Sequence, residues 1–154
     1  MNLEIFSITT NKDLKVVKQL FVEYVDSLGF NLDFQNFKEE LTDLPGEYAP
    51  PKGSLLLAKY QGKTVGCAAL REFADGICEM RRLYVKQEFR RLKIGRQLAE
   101  AIIQQAREIG YNSMRLDFIG PRIAEQLYKS FGFKEIVPYE DIPIEGAVFM
   151  ELKL

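Results

Sequence analysis

The sequence of 154 residues contains no histidine and only two cysteines. The missing histidine excludes Ser-His-Asp and Cys-His nucleophile systems, and it excludes metal sites that rely on imidazole. Cys67 and Cys78 lack the Cys-x-x-Cys spacing of a zinc site, so we expect both to be buried, reduced thiols. Acid–base chemistry in this chain must therefore use carboxylates, tyrosine, lysine, a thiol or water.

Long apolar runs and a large surplus of one charge are also missing. No segment approaches the roughly 18 apolar residues of a membrane span, and the first residues lack the basic-then-apolar layout of a secretory signal. The 21 Lys and Arg residues nearly balance the 22 Asp and Glu residues, which argues against a surface built to hold nucleic acid. We therefore predict a cytoplasmic protein without a membrane or nucleic-acid partner, folded as a single domain over residues 1–154.

The hydrophobic pattern predicts an α/β (α+β) fold with the order β-α-α-β-β-β-α-β-α-β-β and helices on the faces of a mixed sheet. A long helix is predicted near Asn11, which could cap it, and Asp33 could cap a second, shorter helix. The segments "SLLLAKY" and "KTVGCAALREF" flank the dipeptide "QG", which favours an antiparallel hairpin. The segment "GICEMRRLYV" is predicted to be the next strand.

The second half of the chain alternates helices and strands. Residues 94–109 form an amphipathic helical pattern that ends at Gly110. The segment "SMRLDFI" is predicted to be a strand, Pro121 suits the first turn of another helix, and Gly132 stands where a helix C-terminal glycine belongs. The segments "FKEIVPY" and "AVFMELKL" are predicted to form two closing strands.

A basic turn, "FRRLKIGRQL", lies directly before the long amphipathic helix. Four cations surround Gly95 there: Arg90, Arg91, Lys93 and Arg96. A helix N-terminus presents unpaired N–H groups and a positive dipole end, so the turn suits an anion with several phosphate charges. It lacks the glycines of a Walker loop or a dinucleotide-binding turn. A merely solvated helix start and an RNA-phosphate contact are the alternatives.

The same residues resemble the acetyl-coenzyme A turn of the GCN5-related N-acetyltransferase (GNAT) family, which reads Arg/Gln-x-x-Gly-x-Gly/Ala between a strand and a helix. Here the turn is residues 90–95, preceded by "EMRRLYV", and "AEQLYKSFGF" resembles the family's Ala-x-x-Leu-Tyr-x-x-x-Gly-Phe segment. The resemblance implies a mixed, mostly antiparallel central sheet of about seven strands flanked by about four helices. It also implies transfer of an acetyl group from acetyl-coenzyme A (acetyl-CoA) to a primary amine, without a metal.

In such a protein, N–H groups of residues 92–96 would hold the pyrophosphate, and backbone groups of Leu83 and Val85 would pair with the pantetheine arm. The chain departs from the family pattern at Lys93, where glycine is usual. We expect Lys93 to lie in the first turn of the helix, where the backbone needs no glycine, with its cation near the pyrophosphate. The predicted cofactor-binding residues are Leu83, Tyr84, Val85, Arg90, Arg91, Leu92, Lys93, Ile94, Gly95 and Arg96.

Tyr128 and Glu79 are the catalytic residues that the resemblance implies. Tyr128 matches the family's tyrosine near the sulfur, which can donate a proton to the departing thiolate; a purely packing role is the alternative. Glu79 stands where several family members keep a glutamate that receives the amine proton, directly or through water. A salt bridge to Arg81 or Arg82 is its alternative role, and a water chain could replace it as the base.

The acceptor is predicted to be a small-molecule or peptide amine that binds among the early helices and the proline-rich loop. The side chains that could line this cleft are the aromatic Tyr24, Phe30, Phe34 and Tyr48 and the acidic Glu23, Asp26 and Glu47. The alternative to an enzyme is a non-catalytic acyl-coenzyme A sensor or interaction module. Apolar strands near the C-terminus also predict a homodimer.

Overall fold

The computed structural model describes residues 2–29, 36–119 and 123–154. These ranges contain four α-helices, seven strands and two short 3₁₀ helices at Gly46–Tyr48 and Gln87–Phe89. The helices are α1 (Asn11–Ser27), α2 (Phe37–Asp43), α3 (Ile94–Ile109) and α4 (Ile123–Ser130). The strands are β1 (Leu3–Ser7), β2 (Ser54–Tyr60), β3 (Lys63–Ala74), β4 (Ile77–Val85), β5 (Ser113–Phe118), β6 (Lys134–Ile136) and β7 (Val148–Lys153).

All seven strands form one sheet, in the order β1-β2-β3-β4-β5-β7-β6. Strands β4 and β5 run parallel, and the other neighbouring pairs run antiparallel. The β2–β3 hairpin turns at Gln61 and Gly62, which both have the positive φ that a tight hairpin turn requires. The predicted element order, and the mostly antiparallel sheet with four helices, are confirmed within the described residues.

The helix ends agree with the capping signals in the sequence, with one correction. Asn11, the predicted cap of α1, is instead its first helical residue, because the Thr10 hydroxyl accepts a backbone N–H of the first turn at 3.1 Å. Helix α3 ends as predicted at Gly110, whose φ is 107°. The positions predicted to begin two other helices, Asp33 and Pro121, lie outside the described residues.

The alternation of side chains along the central strands builds a hydrophobic core on each face of the sheet. Leu55 and Leu57 of β2 pack with Val17 of α1. Leu56, which lies between them, packs on the other face with Ile102 of α3. Helices α1 and α2 therefore cover one face of the sheet, and α3 and α4 cover the opposite face.

The two cysteines lie in these cores, one on each face, and both are free and buried. Burial raises the pKa of the Cys67 thiol and raises that of Cys78 to about 12. Both side chains therefore stay protonated at neutral pH and pack as small apolar groups. The prediction of buried, reduced thiols is confirmed.

Strands β4 and β5 diverge after a short parallel stretch. Their register contains three residue pairs and ends at Glu79 opposite Arg115, although β4 continues to Val85 and β5 to Phe118. Strand β4 also carries one extra residue against β3 at Arg82, whose φ of 58° marks a β-bulge. A bulge bends its strand, so β4 turns away from β5. We call the resulting opening, between residues 80–85 and 116–118, the strand gap.

The two hydrophobic cores belong to the same seven-stranded sheet. Within the described ranges, none of the helices combines the length and apolarity that crossing a bilayer requires. The cytoplasmic location and the assignment of residues 1–154 to a single domain stay predictions.

Candidate functional site

The strand gap brings together side chains from both faces of the sheet. Tyr24 is carried by α1 on one face, whereas Tyr128 of α4 belongs to the core of the other face. Burial raises the pKa of Tyr128, and Tyr24 and Asp117 raise it further through their charges. The Tyr24 ring lies 6.0 Å from that of Tyr84 on one edge of the gap, and the Tyr128 ring lies 5.6 Å from that of Phe118 on the other edge. This opening is the candidate active site.

Glu79 borders the gap and is held firmly by its neighbours. Its side chain is 1% exposed, and Oε1 lies 2.8 Å from both Nε and Nη2 of Arg71 on β3. The Arg81 Nε lies 3.6 Å from the same oxygen. The predicted salt bridge to Arg81 is therefore present, although Arg71 is the closer partner. Ion pairing and a catalytic role are compatible, so the role of Glu79 as a base stays a prediction.

The guanidinium groups of Arg81 and Arg82 on β4 form ion pairs with the Glu40 carboxylate of α2. Glu40 accepts hydrogen bonds from Nε and Nη2 of Arg82 at 2.9 and 2.7 Å, and it lies 3.5 Å from Nη1 of Arg81. Burial alone would raise the pKa of Glu40, but the hydrogen bond and charge of Arg82 lower it. The protein's own carboxylates thus balance the cations on this side of the gap.

Asp117 is a functional candidate that the sequence analysis missed. It lies near the end of β5, and none of the described residues forms a hydrogen bond or an ion pair with its carboxylate. Burial raises the pKa of Asp117 to about 6, and the charges of Glu79 and Glu140 contribute to the increase. A carboxylate with this pKa can both hold and release a proton near neutral pH.

The loop between β6 and β7 covers these carboxylates. The Tyr139 hydroxyl donates to Oε2 of Glu79 at 3.1 Å, and its ring packs edge-on against two phenylalanines. Glu140 then supplies a third carboxylate, and oxygen atoms of Glu79, Asp117 and Glu140 lie within 4.8 Å of one another. Burial and the charge of Glu79 raise the pKa of Glu140. The site therefore concentrates negative charge beside the strand gap.

Tyr128 combines a packed ring with a hydroxyl that forms no hydrogen bond within the described part of the chain. The residue is 9% exposed, and its ring centroid lies 5.6 and 5.8 Å from those of Phe118 and Phe133. The packing role predicted as the alternative is therefore confirmed for the ring. Among the described residues, nothing accepts or donates a hydrogen bond at the hydroxyl. Burial raises its pKa, so it keeps its proton at neutral pH, as a proton donor must.

The basic turn corrects the expectation for Lys93. Its φ is 62° and its ψ is 23°, so Lys93 is the N-cap of α3 in the left-handed region and not a residue of the first helical turn. Arg91 also has a positive φ, of 78°. A glycine is therefore favoured at position 93 on conformational grounds, because a left-handed residue with a Cβ costs about 1 kcal/mol. Two left-handed residues, one on each side of Leu92, curve the backbone into the start of the helix.

The start of α3 is open to a ligand. None of its first N–H groups is capped by a side chain, and Gly95 stands in the first turn beside the end of β4. A Cβ at Gly95 would lie 3.7 Å from Cγ2 of Val85, which is an ordinary contact. Folding therefore does not require glycine at position 95, which agrees with the Gly/Ala choice at the last position of the family's turn.

Two of the four cations of the turn are committed to protein contacts. Arg96 donates from Nη2 to the Ser130 hydroxyl at 2.7 Å and lies over the ring of Phe131 at 5.0 Å, so it ties α3 to α4. Arg90 donates from Nε to the carbonyl of Val85 at 3.0 Å. The exposed Arg91 and Lys93 are thus the better candidates for contact with an anion through their side chains.

The predicted pantetheine-binding residues lie after the β-bulge, in the part of β4 that borders the strand gap. Leu83, Tyr84 and Val85 follow Arg82, and Tyr84 and Val85 pair with Cys67 and Gly66 of β3. No register pair of the described residues joins this part of β4 to β5. Their backbone edge toward β5 is therefore available to an extended ligand.

The structure agrees with only some of the side chains predicted to line the acceptor cleft. Tyr48 is 2% exposed and packs against Phe21, so it is a core residue and not a cleft surface. Glu47 is bound to Arg71 at 2.6 Å, whereas Glu23 lies 3.8 Å from Lys86. Tyr24 lies at the gap, Asp26 is exposed, and Phe30 and Phe34 lie outside the described residues.

Comparison with known proteins gives matches over most of the chain. A family model described as an acetyltransferase (GNAT) domain matches residues 51–135. An uncharacterized N-acetyltransferase of Schizosaccharomyces pombe is 42% identical, over 99% of this chain and 96% of that protein. An acetyltransferase structure from Streptococcus agalactiae has a TM-score of 0.79 at 18% identity, covering 100% of this chain and 99% of the other.

A solved structure with a bound ligand has the same fold. The PaiA N-acetyltransferase from Thermoplasma acidophilum, in complex with coenzyme A, has a TM-score of 0.73 at 20% identity and covers 100% of both chains. The chain therefore has the α/β fold of these two acetyltransferase structures. The chain belongs to the GCN5-related N-acetyltransferase (GNAT) family and is an acetyltransferase enzyme. The family predicted from sequence is confirmed, and the roles of individual site residues stay predictions.

Proposed function

We propose that the enzyme moves an acetyl group from acetyl-CoA directly to a primary amine. The observation that carries this proposal is the strand gap, which leads from an uncapped, basic helix start to the Tyr128 hydroxyl and three carboxylates. Acetyl-CoA has a matching group for each part: its pyrophosphate suits the basic helix start, its extended pantetheine arm suits the strand gap, and its thioester suits the hydroxyl and carboxylates.

The turn at the start of α3 is proposed to bind the pyrophosphate. Its N–H groups carry the partial positive charge of the helix dipole, and Arg91 and Lys93 add two exposed cations. The bound coenzyme A of the PaiA structure supports coenzyme A as the ligand of this fold. The pantetheine amides would pair with the backbone of Leu83 and Val85, which no described residue of β5 pairs with.

Three operations are then required of the protein. The amine must lose a proton, the carbonyl oxygen must be stabilised as it gains charge, and the departing sulfur must gain a proton. Tyr128 is the proposed proton donor to sulfur, because its hydroxyl is protonated and its ring packs against Phe118 at the edge of the gap. The acceptor nitrogen is proposed to bind beside Glu79, Asp117 and Glu140, because these carboxylates concentrate negative charge at the gap.

The experiment that tests this function has two stages. Coenzyme A and acetyl-CoA should raise the unfolding temperature by the mass action of a ligand that binds only the folded state, whereas ATP at the same concentration should raise it less. Thiol release from acetyl-CoA is then measured over a panel of amines. No stabilisation by either coenzyme A form would overturn the proposal. Stabilisation without thiol release on any amine would favour the acyl-coenzyme A sensor.

The predicted homodimer stays a prediction. Strand β6 is an edge of the sheet and is followed by Val137, which is 83% exposed. An exposed apolar residue beside an edge strand favours contact with another chain. Light scattering after size-exclusion chromatography would give the mass of the species in solution, and a monomer at all concentrations would contradict the prediction.

A further inference from the structure

We infer that Asp117 is the residue that binds the acceptor ammonium and takes its proton. This inference deepens the acetyl transfer proposed above and rests on it. It assigns the proton-accepting role to a residue of β5, whereas the sequence pointed to Glu79 on β4. Glu79 then becomes a positioning residue that acts through Asp117.

The contacts of the three carboxylates separate their roles. One oxygen of Glu79 is shared by Arg71 and Arg81, and the other accepts from Tyr139, so a proton or an ammonium group would have to displace existing partners. Glu140 lies on the exposed surface of the loop. Asp117 is the carboxylate that is partly buried, borders the strand gap and makes no hydrogen bond or ion pair with any described residue.

The charged and titratable groups around Asp117 favour binding of a cation. Its pKa is raised by burial and by the charges of Glu79 and Glu140, and the charges of Arg81 and Arg82 only partly oppose this. The arginines are already balanced by Glu40. The groups facing Asp117 are Glu79, Arg81 and Arg82 of β4, Tyr139 and Glu140 of the β6–β7 loop, Tyr24 of α1 and Tyr128 of α4.

The Tyr128 hydroxyl is a second, independent indication of a ligand in the same gap. It belongs to a side chain that is nine-tenths buried, and no described residue satisfies it. A hydroxyl donor and a carboxylate that no described residue occupies, on one opening, complement a ligand pair that offers a proton-accepting sulfur and a proton-donating nitrogen. The thioester and the ammonium group of the proposed reaction provide both.

The proposed step balances as follows. The Asp117 carboxylate takes one proton from R–NH₃⁺ and leaves R–NH₂ with a free electron pair. The nitrogen attacks the thioester carbon, a C–N bond forms, and the carbonyl electrons move onto oxygen. Collapse of this adduct breaks the C–S bond, and sulfur leaves with the bonding pair and takes the Tyr128 proton. The surplus proton on nitrogen restores the tyrosine, and Asp117 releases its proton to water.

The first test follows the Asp117 carboxyl directly and needs no acceptor. Protein labelled with ¹³C at the aspartate carboxyl carbons is saturated with coenzyme A and titrated by NMR. We expect one signal to titrate near pH 6, to vanish in Asp117→Asn and to move to lower pH in Glu79→Gln. Titration of that signal at the ordinary aspartate value, about 3.9, or its indifference to Glu79→Gln, would overturn the inference.

The second test measures thiol release with 1,4-diaminobutane, lysine methyl ester and a lysine-containing peptide as probe amines. Asp117→Asn should lower kcat/KM for the best of these amines at least 100-fold at pH 7, with the KM for acetyl-CoA changed less than twofold. Asp117→Glu should recover part of the rate. Asp75→Asn, in the exposed β3–β4 turn, is the matched control and should keep the wild-type rate.

The pH profile separates a catalytic role from a structural one. Wild-type kcat/KM should fall below about pH 6, where Asp117 becomes protonated, whereas Asp117→Asn should lose this limb and rise about tenfold per pH unit with the free amine. A wild-type profile in Asp117→Asn would overturn the inference. Absence of thiol release by the wild type with every amine would instead overturn the proposed acetyl transfer, and the NMR titration would still decide the proton affinity of Asp117.

Discussion

Arg71 of β3 and Glu79 of β4 are directly opposed in the sheet, and two nitrogens of the guanidinium lie 2.8 Å from one oxygen of the carboxylate. The other end of the same guanidinium reaches Glu47 at 2.6 Å. Arg71 therefore fixes a buried charge at the edge of the active site and connects it to the segment after α2.

Replacing Arg71 by Met should lower the free energy of unfolding by about 3 kcal/mol, because it leaves the buried Glu79 charge without its main partner. The double variant Arg71→Met, Glu79→Gln should recover much of the loss. Urea unfolding measures both effects. The control is Lys52→Met, which breaks the exposed pair with Glu72 and should cost less than about 1 kcal/mol. Equal losses of unfolding free energy in Arg71→Met and Lys52→Met would contradict the assignment of Arg71 and Glu79 as a buried ion pair.

Replacing Tyr128 by Phe should lower kcat about 10- to 100-fold at an unchanged KM for acetyl-CoA, because the variant removes a proton donor and retains the ring. The unfolding temperature should not fall, since no described residue bonds to the hydroxyl. The control is Tyr111→Phe, which removes a hydroxyl that donates to the Lys52 carbonyl at 2.7 Å. That variant should lose stability and keep its rate. A wild-type rate in Tyr128→Phe would contradict the proposed role.

Replacing Gly95 by Val should weaken coenzyme A binding at least tenfold, whereas Gly95→Ala should bind it about as well as the wild type, because the last position of the family's turn accepts glycine or alanine. An alanine Cβ would meet no atom closer than 3.7 Å within the protein, and Ala is favoured over Gly inside a helix by up to about 1 kcal/mol, so the Ala variant should keep its fold. The bulkier valine would stand where the pyrophosphate approaches the backbone. Calorimetric titration with coenzyme A, beside thermal unfolding, distinguishes a loss of binding from a loss of stability. Unchanged affinity in the Val variant would place the pyrophosphate elsewhere.

Replacing Lys93 by Gly should raise the free energy of unfolding by about 1 kcal/mol, because glycine relieves the left-handed conformation. It should also weaken coenzyme A binding a few-fold by removing an exposed cation. Lys93→Asn is the matched variant, since asparagine tolerates a positive φ and carries no charge. Both variants should show the same loss of affinity and a weaker dependence on salt. Tighter binding by the glycine variant would contradict a helping role for the lysine.

Replacing Asp117 by Asn should raise stability at pH 7 to 8 by about 2 kcal/mol, with no gain at pH 4. Between its ordinary value of 3.8 and its folded value of about 6, the folded state binds this proton and the unfolded chain does not. Stability contributed by Asp117 therefore falls as the pH rises through this window. Urea unfolding at several pH values measures the difference. A destabilised variant at pH 8 would show that the carboxylate has a partner in the folded state.

Much of the fold was predictable because local and long-range preferences agree. The apolar positions of α3 repeat at helical spacing and end at Gly110, so the segment needs no tertiary information to be identified. The β2–β3 hairpin is equally local, since Gln61 and Gly62 supply the turn between two apolar strands. The basic turn and Tyr128 were found because they belong to short contiguous motifs.

The parts of the site that escaped prediction depend on register. Asp117 is one polar residue in "SMRLDFI", and only the pairing of Glu79 with Arg115 places it beside the β4 carboxylate. Alternation of polar and apolar residues in β5 was the available signal, because it puts Arg115 and Asp117 on one face. Tyr139 lies in an irregular loop, where the sequence carries no periodicity. The left-handed Lys93 violates the usual glycine preference, so its conformation could not be read from residue type.

The strand gap has a mechanical consequence. Ordinary sheets are closed by their own hydrogen bonds, but here β4 and β5 are joined by three residue pairs at one end and separate beyond them. An extended cofactor lying in this opening would supply the missing rungs of the ladder. The bound cofactor would then connect the two parts of the sheet, so the enzyme with cofactor bound would be more rigid than the free enzyme. Release of the product would remove this connection, and the active site would become more flexible before the next cofactor binds.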